Sequence, residues 1–235
     1  MQRAVFVTGT DKGLGLSLVT RFLQDDFIVF AGTYLAGGNL EALVGQFPGR
    51  LLPIPLDVTD LGSIRQAFRL VTEHTSALDM LINNAGVHLQ KPVKPLEELD
   101  FSDKHFQRTM DVNAFGPLCV IQQFLPLLER GERKLILNIS SEAGSISTCR
   151  RTSEYAYCMS KSALNMATRI LQNALGPRGF KVLAVHPGWM RTDMGGPEAD
   201  LHPDESTDGI FELAMRPWRP EEDIYMDYRG KAMTW

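Results

Sequence analysis

Cysteine is scarce in this 235-residue chain: Cys119, Cys149 and Cys158 are odd in number and lack paired spacing, so neither a disulfide framework nor a zinc site is indicated. The five histidines are scattered without ligand spacing, which leaves no metal site to propose. Basic runs are also missing. With a net charge of -4, the composition argues against nucleic acid as a partner and offers no polybasic patch to a membrane surface. No apolar run approaches the length of a bilayer span, and the first apolar strand begins so early that no signal peptide fits before it. A reducing, cytoplasmic setting is the expectation. The chain has no Gly-x-Ser-x-Gly elbow, which removes one route to Ser-His-Asp hydrolysis. It has no internal repeat, low-complexity tract or linker either, so a single domain over 1–235 is expected, with 44% hydrophobic residues to fill its core.

What is present is an alternation of short apolar runs and helical patterns. Arg3 to Thr8, Phe27 to Gly32, Leu51 to Leu56, Leu78 to Asn83, Lys134 to Ile139, Lys181 to His186 and Ile224 to Tyr228 read as strands, most of them continuously apolar as in strands covered on both faces. Between them lie helical spacings over Leu40 to Phe47, Leu61 to Ser76, Asp103 to Arg130, Ser153 to Leu175 and Glu205 to Met215. Pro117 and Pro126 are expected to kink or shorten the long third one. The fold class this predicts is α/β: a doubly wound (Rossmann) parallel sheet of about seven strands with helices on both faces.

The first strand runs into Thr8-Gly9-Thr10-Asp11-Lys12-Gly13-Leu14-Gly15 and then into a helix. Glycines there allow close backbone approach, and the N–H groups and dipole of the helix N-terminus favour an anion, so the segment suits a dinucleotide phosphate; an ordinary tight turn is the alternative. Far along the chain, Tyr157 and Lys161 sit four residues apart in a helical pattern, one turn from each other. A lysine ammonium beside a phenol is expected to lower the tyrosine pKa and fit it for proton exchange with an alcohol or carbonyl oxygen.

Several motifs, in order along the whole chain, resemble those of the short-chain dehydrogenase/reductase family. They are Thr8-Gly9 through Gly13-Leu14-Gly15, Asp57-Val58-Thr59, Asn83-Asn84-Ala85-Gly86, Asn113, Asn138-Ile139-Ser140-Ser141, Tyr157 with Lys161, and His186-Pro187-Gly188-Trp189. The run His186 to Gly196, the doublet Tyr155 with Tyr157, and the ending Asp227 to Trp235 are similar to its carbonyl-reductase branch. The resemblance implies four catalytic residues. Tyr157 would be the general acid in carbonyl reduction, Lys161 would tune it and bind the nicotinamide ribose, Ser141 would hold the substrate oxygen, and Asn113 would support a water in a proton relay. Tyr155, six residues from Lys161, reads as packing or pocket wall.

The resemblance also implies an NAD(P) cofactor held by Gly9, Lys12, Gly13, Leu14, Gly15, Asp57, Val58, Asn84, Ala85, Gly86, Tyr157, Lys161, Pro187, Gly188 and Thr192. For Asp57 a helix-capping role stands beside contact with the adenine, and for Asn84 and Gly86 a plain turn is the alternative. Where NAD-preferring members carry an acid after the second strand, this chain has Thr33 and Tyr34, and Lys12 stands where a basic residue serves many NADP-preferring relatives. NADP(H) is therefore favoured, with NAD(H) not excluded. Ser141 precedes Tyr157 by sixteen positions, a little more than is common in the family, so a small bulge containing Cys149, Arg150 and Arg151 is expected to shape the pocket. Met159, Met190 and Met194 read as pocket lining or plain packing, and His186 as a buried strand histidine.

The function implied is NADP(H)-dependent reduction of a small ketone or aldehyde to an alcohol. The alternative is a dinucleotide-binding sensor or signalling protein that keeps the fold. The resemblance also implies a homodimer, since family members commonly pair the two long helices with their copies in a second subunit, and the apolar residues around Phe115, Leu118, Ile121 and Phe124 are numerous enough to cover both a sheet and a neighbour.

Overall fold

The computed structural model describes residues 2–35, 39–90, 92–219 and 221–235. Its strands are β1 (Ala4–Thr8), β2 (Ile28–Thr33), β3 (Leu51–Pro55), β4 (Met80–Asn83), β5 (Leu135–Ile139), β6 (Lys181–His186) and β7 (Tyr225–Asp227). They form one parallel sheet in the order β3-β2-β1-β4-β5-β6-β7. The helices are α1 (Gly13–Gln24), α2 (Asn39–Gln46), α3 (Leu61–Thr72), α4 (His105–Met110), α5 (Gly116–Leu128), α6 (Tyr155–Leu175) and α7 (Pro203–Met215). None of the described helices is long and apolar enough to cross a membrane.

Alternation of side chains along each strand feeds two cores, one on each face of the sheet. Val5 and Val7 point into a cluster with Phe22 of α1 and Phe211 of α7, whose rings meet edge-on at 5.1 Å. Ala4 and Phe6 point the other way, where Phe6 stacks on Phe124 of α5 at 4.6 Å beside Ile64 and Val71 of α3. Burying a large apolar side chain contributes about 1.5–3 kcal/mol relative to exposing it, and the strands other than β3 are buried along most of their length. The connections run outward in both directions from the centre, so that β1 lies between β2 and β4. The carboxyl ends of β1 and β4 therefore open a crevice at the point where the winding reverses, the usual ligand position in such sheets.

Several boundaries differ from the sequence expectation by one to four residues, α3 ending at Thr72 rather than Ser76 and β4 starting at Met80 rather than Leu78, and three of the differences have a clear physical reason. The continuous helix expected over Asp103 to Arg130 is α4 and α5 joined by a π-helical turn, Asp111–Phe115. Pro117 has no N–H to give the Asn113 carbonyl four residues back, so the α-helical pattern lacks its donor there; Pro126 stays inside α5 without ending it. Helix α6 begins at Tyr155 rather than Ser153, because Glu154 is left-handed (φ 62°) and the Ala156 N–H donates instead to the side chain of distant Gln90 at 2.6 Å. Helix α7 starts at Pro203 rather than Glu205, behind His202, which takes part in a capping box with Glu205. The proposed dimer stripe is only partly on the surface: Ile121 and Phe124 are buried in the chain's own core, whereas Phe115 is exposed and Leu118 half-buried.

Candidate active site

The turn after β1 is built by backbone. Gly9 and Gly13 have positive φ (67° and 56°), where side chains are disfavoured. A Cβ on Gly9 would lie 2.7 Å from Ala85 Cα, and one on Gly15 would lie 2.1 Å from the Gly9 carbonyl oxygen. Asn84 braces the same turn, its amide donating to the Thr8 and Gly9 carbonyls at 2.9 and 2.8 Å, while the Thr8 hydroxyl accepts from the Asn84 and Ala85 N–H groups. Helix α1 starts here without a side-chain cap and with no acid in its first turn. Its first N–H groups are left to an anion, so the residues present fit a dinucleotide pyrophosphate.

From this turn a cleft of about 520 Å³ extends along the carboxyl edge of the sheet. Every residue expected to hold the cofactor lines it except Gly188. Gly188 lines the neighbouring cavity and serves a tight turn, with φ 82° and a hypothetical Cβ only 2.3 Å from Leu201. The capping alternative is not met, because Asp60 is the N-cap of α3 and accepts from the Gly62 N–H, which leaves Asp57 to the cleft. Asp57 lines the cleft, its Oδ1 accepts from both the N–H and the hydroxyl of Thr59, and its Oδ2 lies 3.5 Å from Arg108. Burial alone would raise this carboxyl's pKa; the Thr59 hydrogen bonds and Arg108 outweigh it and hold the group below its ordinary value.

Two residues at the β2 end escaped sequence reasoning. Asp11 accepts from the N–H groups of Tyr34 and Leu35, which places a carboxylate near the predicted ribose end, and Arg108 lines the same end. Lys12 projects over the mouth, its Nζ 2.5 Å from Asp193.

The other wall carries Tyr157, Lys161, Ser141 and Asn113. Lys161 is buried, donating to the Ile139 carbonyl at 2.8 Å. Asn113, set on the π-helical turn, exchanges hydrogen bonds with the Val87 backbone and donates to Ser160 at 3.0 Å. A Cβ on Gly86 would sit 3.4 Å from Asn113 Oδ1 and 3.7 Å from Lys161 Nζ, so Gly86 keeps the space between them open.

The expected lowering of the Tyr157 pKa is not what the structure gives. Burial pushes the phenol up to about 12, against the opposing Ser141 hydrogen bond, and burial pushes Lys161 down to about 8. Desolvation outweighs any gain from the pairing because the ammonium stands 5.8 Å from the phenol ring centroid and is bonded to a carbonyl. At neutral pH Tyr157 thus carries its proton.

Beyond Tyr157 lies a second cavity of about 620 Å³, lined by Ser141, His186, Trp189 and an ionic cluster. Glu142 and Glu154 both pair with Arg151, and Glu154 also lies 3.1 Å from His88. The His88 ring in turn lies 4.6 Å from that of Tyr157. Only Arg151 had been anticipated here. The longer Ser141-to-Tyr157 spacing was the signal for it, whereas nothing marked Glu142, Glu154 or His88, whose roles depend on three separate segments meeting. His186 is a strand residue as expected, yet it too faces this cavity, and burial pushes its pKa down. Tyr155 is not among the residues lining either cavity.

Comparison with known proteins agrees with this geometry. The short chain dehydrogenase family model matches residues 3–201. C-signal of Myxococcus xanthus is 39% identical over 162 residues, covering 68% of this chain and 95% of that protein. The crystal structure of NADPH-bound carbonyl reductase from chicken fatty liver superposes with a TM-score of 0.90 at 32% identity, covering 100% of this chain and 99% of that one. Carbonyl reductase Sniffer of Drosophila melanogaster gives 0.92 at 27% identity, with 100% of both chains covered. The chain belongs to the short-chain dehydrogenase/reductase family of nicotinamide-dependent oxidoreductases.

Proposed function

We propose that this protein is an NADPH-dependent carbonyl reductase whose general acid is Tyr157, with residues 1–235 acting as one dinucleotide-binding domain. The observation that carries the reading is the position of Tyr157, which lines both cavities, with Ser141 beside it in the lining of the second. A carbonyl placed in the second cavity against Tyr157 would present its carbon to the first. When bound, the reduced nicotinamide supplies a hydride to that carbon. The π-electron pair moves to the oxygen, which takes the Tyr157 proton. Lys161 then stands beside the phenolate, which would regain its proton from solvent through a water that the family resemblance places near Asn113. Burial keeps the phenol protonated at neutral pH, so the proton that reduction consumes is in place, although a pKa of about 12 lies above the operating pH at which a general acid is most effective.

NADPH rather than NADH is supported by Lys12 at the cleft mouth, by Thr33 and Tyr34 where an acid would repel a 2′-phosphate, and by the NADPH bound in the chicken enzyme. Asp11 works in the opposite sense and keeps the preference modest. A homodimer through the α5 and α6 faces is supported by exposed Phe115, Met159, Met166 and Ile170, and light scattering at micromolar concentration would test it.

The test of function is a fluorescence titration with NADPH beside NADPH oxidation over a broad carbonyl panel. Binding with turnover supports the reductase; binding without turnover of any carbonyl would favour the sensor or signalling reading, in keeping with the C-signal name of one relative.

A further inference from the structure

The Ser141 hydroxyl has no proton left for a substrate. A serine hydroxyl offers one donor and two acceptor positions. Its proton is given to Glu142 Oε2 at 2.6 Å, and one lone pair accepts from the Ala143 N–H at 3.1 Å. A carbonyl oxygen arriving beside Tyr157 can take the tyrosine proton but finds the serine proton already committed. Glu142 cannot simply turn away, because its other oxygen is held by Arg151, which is itself held by Glu154. The carboxylate is nonetheless accessible from the cavity, with 46% of its side-chain surface exposed.

We propose that Glu142 determines which carbonyl compounds react: it holds the Ser141 proton until a hydrogen-bond donor on the substrate, a hydroxyl on the carbon next to the carbonyl, replaces the serine at Oε2. This rests on the reductase reading and names its substrate class as α-hydroxy carbonyl compounds. The reach is right. With a carbonyl oxygen at about 3 Å from Ser141 Oγ, Glu142 Oε2 lies within about 6 Å of that oxygen, the distance a donor one carbon along can bridge. Once the substrate hydroxyl donates to Glu142, the Ser141 proton turns to the carbonyl oxygen and Tyr157 transfers its own.

The substrate thus unlocks the serine through its own hydroxyl, and a ketone without one leaves the serine tied. The redox balance is that of the reductase: a hydride from NADPH to the carbonyl carbon, a proton from Tyr157 to the oxygen, giving a vicinal diol and NADP⁺.

The experiment compares acetone, hydroxyacetone and methoxyacetone with NADPH, in the parent protein and in Glu142→Gln. Methoxyacetone matches the polarity of hydroxyacetone but has no proton to donate. The parent is expected to reduce hydroxyacetone with a kcat/KM about 10- to 100-fold above the other two, the discrimination of one hydrogen bond to a charged group. In Glu142→Gln the amide oxygen faces Arg151 and its NH2 faces Ser141, releasing the serine proton. That variant should reduce acetone with a higher kcat than the parent and lose the preference for hydroxyacetone. Glu142→Ala should show the same pattern, and an unchanged NADPH titration certifies that either variant is folded. Equal parent rates on hydroxyacetone and methoxyacetone, or a preference that survives both substitutions, would overturn the proposal while leaving the reductase intact. If the parent reduces none of these and no carbonyl in the broad panel, the reductase reading falls and this proposal falls with it.

Discussion

The two walls of the site are made in different ways. On the side proposed for the cofactor, the wall is a matter of backbone: glycines at positive φ, a carbonyl brought close to a missing Cβ, and N–H groups left without a cap at the start of α1. On the substrate side it is a matter of side chains drawn from the β5–α6 loop, the segment after β4 and the start of α6, joined as Ser141, Glu142, Arg151, Glu154 and His88. A backbone-built wall binds a feature common to all its ligands, a phosphate, whereas a side-chain network can be re-drawn by one substitution to accept another substrate. The first wall is therefore expected to tolerate no change in shape and the second to tolerate change at the cost of specificity.

The largest expected effect lies where the walls meet. Tyr157→Phe removes one hydroxyl and should lower carbonyl reduction by on the order of 10²- to 10⁴-fold, with NADPH affinity nearly unchanged. Single-turnover NADPH oxidation beside a binding titration checks this. Parental turnover in the variant would show that the proton comes from elsewhere.

Gly15→Ala breaks the cofactor wall alone. Its Cβ would be driven to 2.1 Å from the Gly9 carbonyl and 2.5 Å from the Asn84 amide, so the turn must open. A loss of about 1–3 kcal/mol in stability is expected, with NADPH binding weakened by about tenfold or more. Thermal unfolding and titration of the same sample measure both. A variant that bound NADPH as tightly as the parent would mean that the glycine turn is not the phosphate cradle.

The same contrast explains what could be read in advance. The strand pattern was legible because most of the parallel strands are apolar along their length, and the glycine turn because only glycine fits positions such as Gly9, so its identity records the geometry. The cleft-lining set followed from motifs at the strand ends, Asp57 and Asn84 through Gly86 among them. The substrate wall was not legible, because glutamates at 142 and 154 look like any solvated acid until folding sets both against Arg151. The Tyr157 pKa went the other way from expectation for a related reason: helical spacing shows that a lysine is near, and only packing shows that both groups are dry. The π-helical turn at Asp111–Phe115 lay beyond a helical periodicity that reads the same through it.

Lys161 tests how far burial governs this junction. Its pKa of about 8 in the fold lies below the ordinary 10.5 of the unfolded chain. Below about pH 8 both states carry the ammonium, and the cost of burying it is present in full. Between about 8 and 10.5 the folded protein has shed a proton that the unfolded chain still holds, so stability contributed by this group rises with pH across that window. Lys161→Met should therefore raise the Tm of the cofactor-free protein at pH 7 by on the order of 3–5 °C, less whatever is lost with the bond to Ile139. The gain should shrink as the pH approaches 10.5. A gain that stayed constant with pH would show that Lys161 is not a buried cation.

The smallest effect concerns cofactor choice, where the backbone wall borrows one side chain. Lys12 and Asp193 close over the cleft mouth as an exposed pair, so the lysine is screened by solvent and shared with a carboxylate. A bound 2′-phosphate, carrying more charge than one carboxylate, would compete for that ammonium, while the hydroxyl of NADH at the same place would not. Asp11, held by the Tyr34 and Leu35 N–H groups, opposes the phosphate from the other side and limits the gain. Lys12→Ala is accordingly expected to weaken NADPH by about twofold to fivefold, as for an exposed ion pair, and to leave NADH binding unchanged. Because the interaction is exposed, the parent's preference for NADPH should also decline as salt is raised from low to molar concentration. Parallel titrations of both cofactors at two ionic strengths decide it: equal loss of NADPH and NADH in Lys12→Ala would assign the lysine to the shared pyrophosphate and not to the 2′-phosphate.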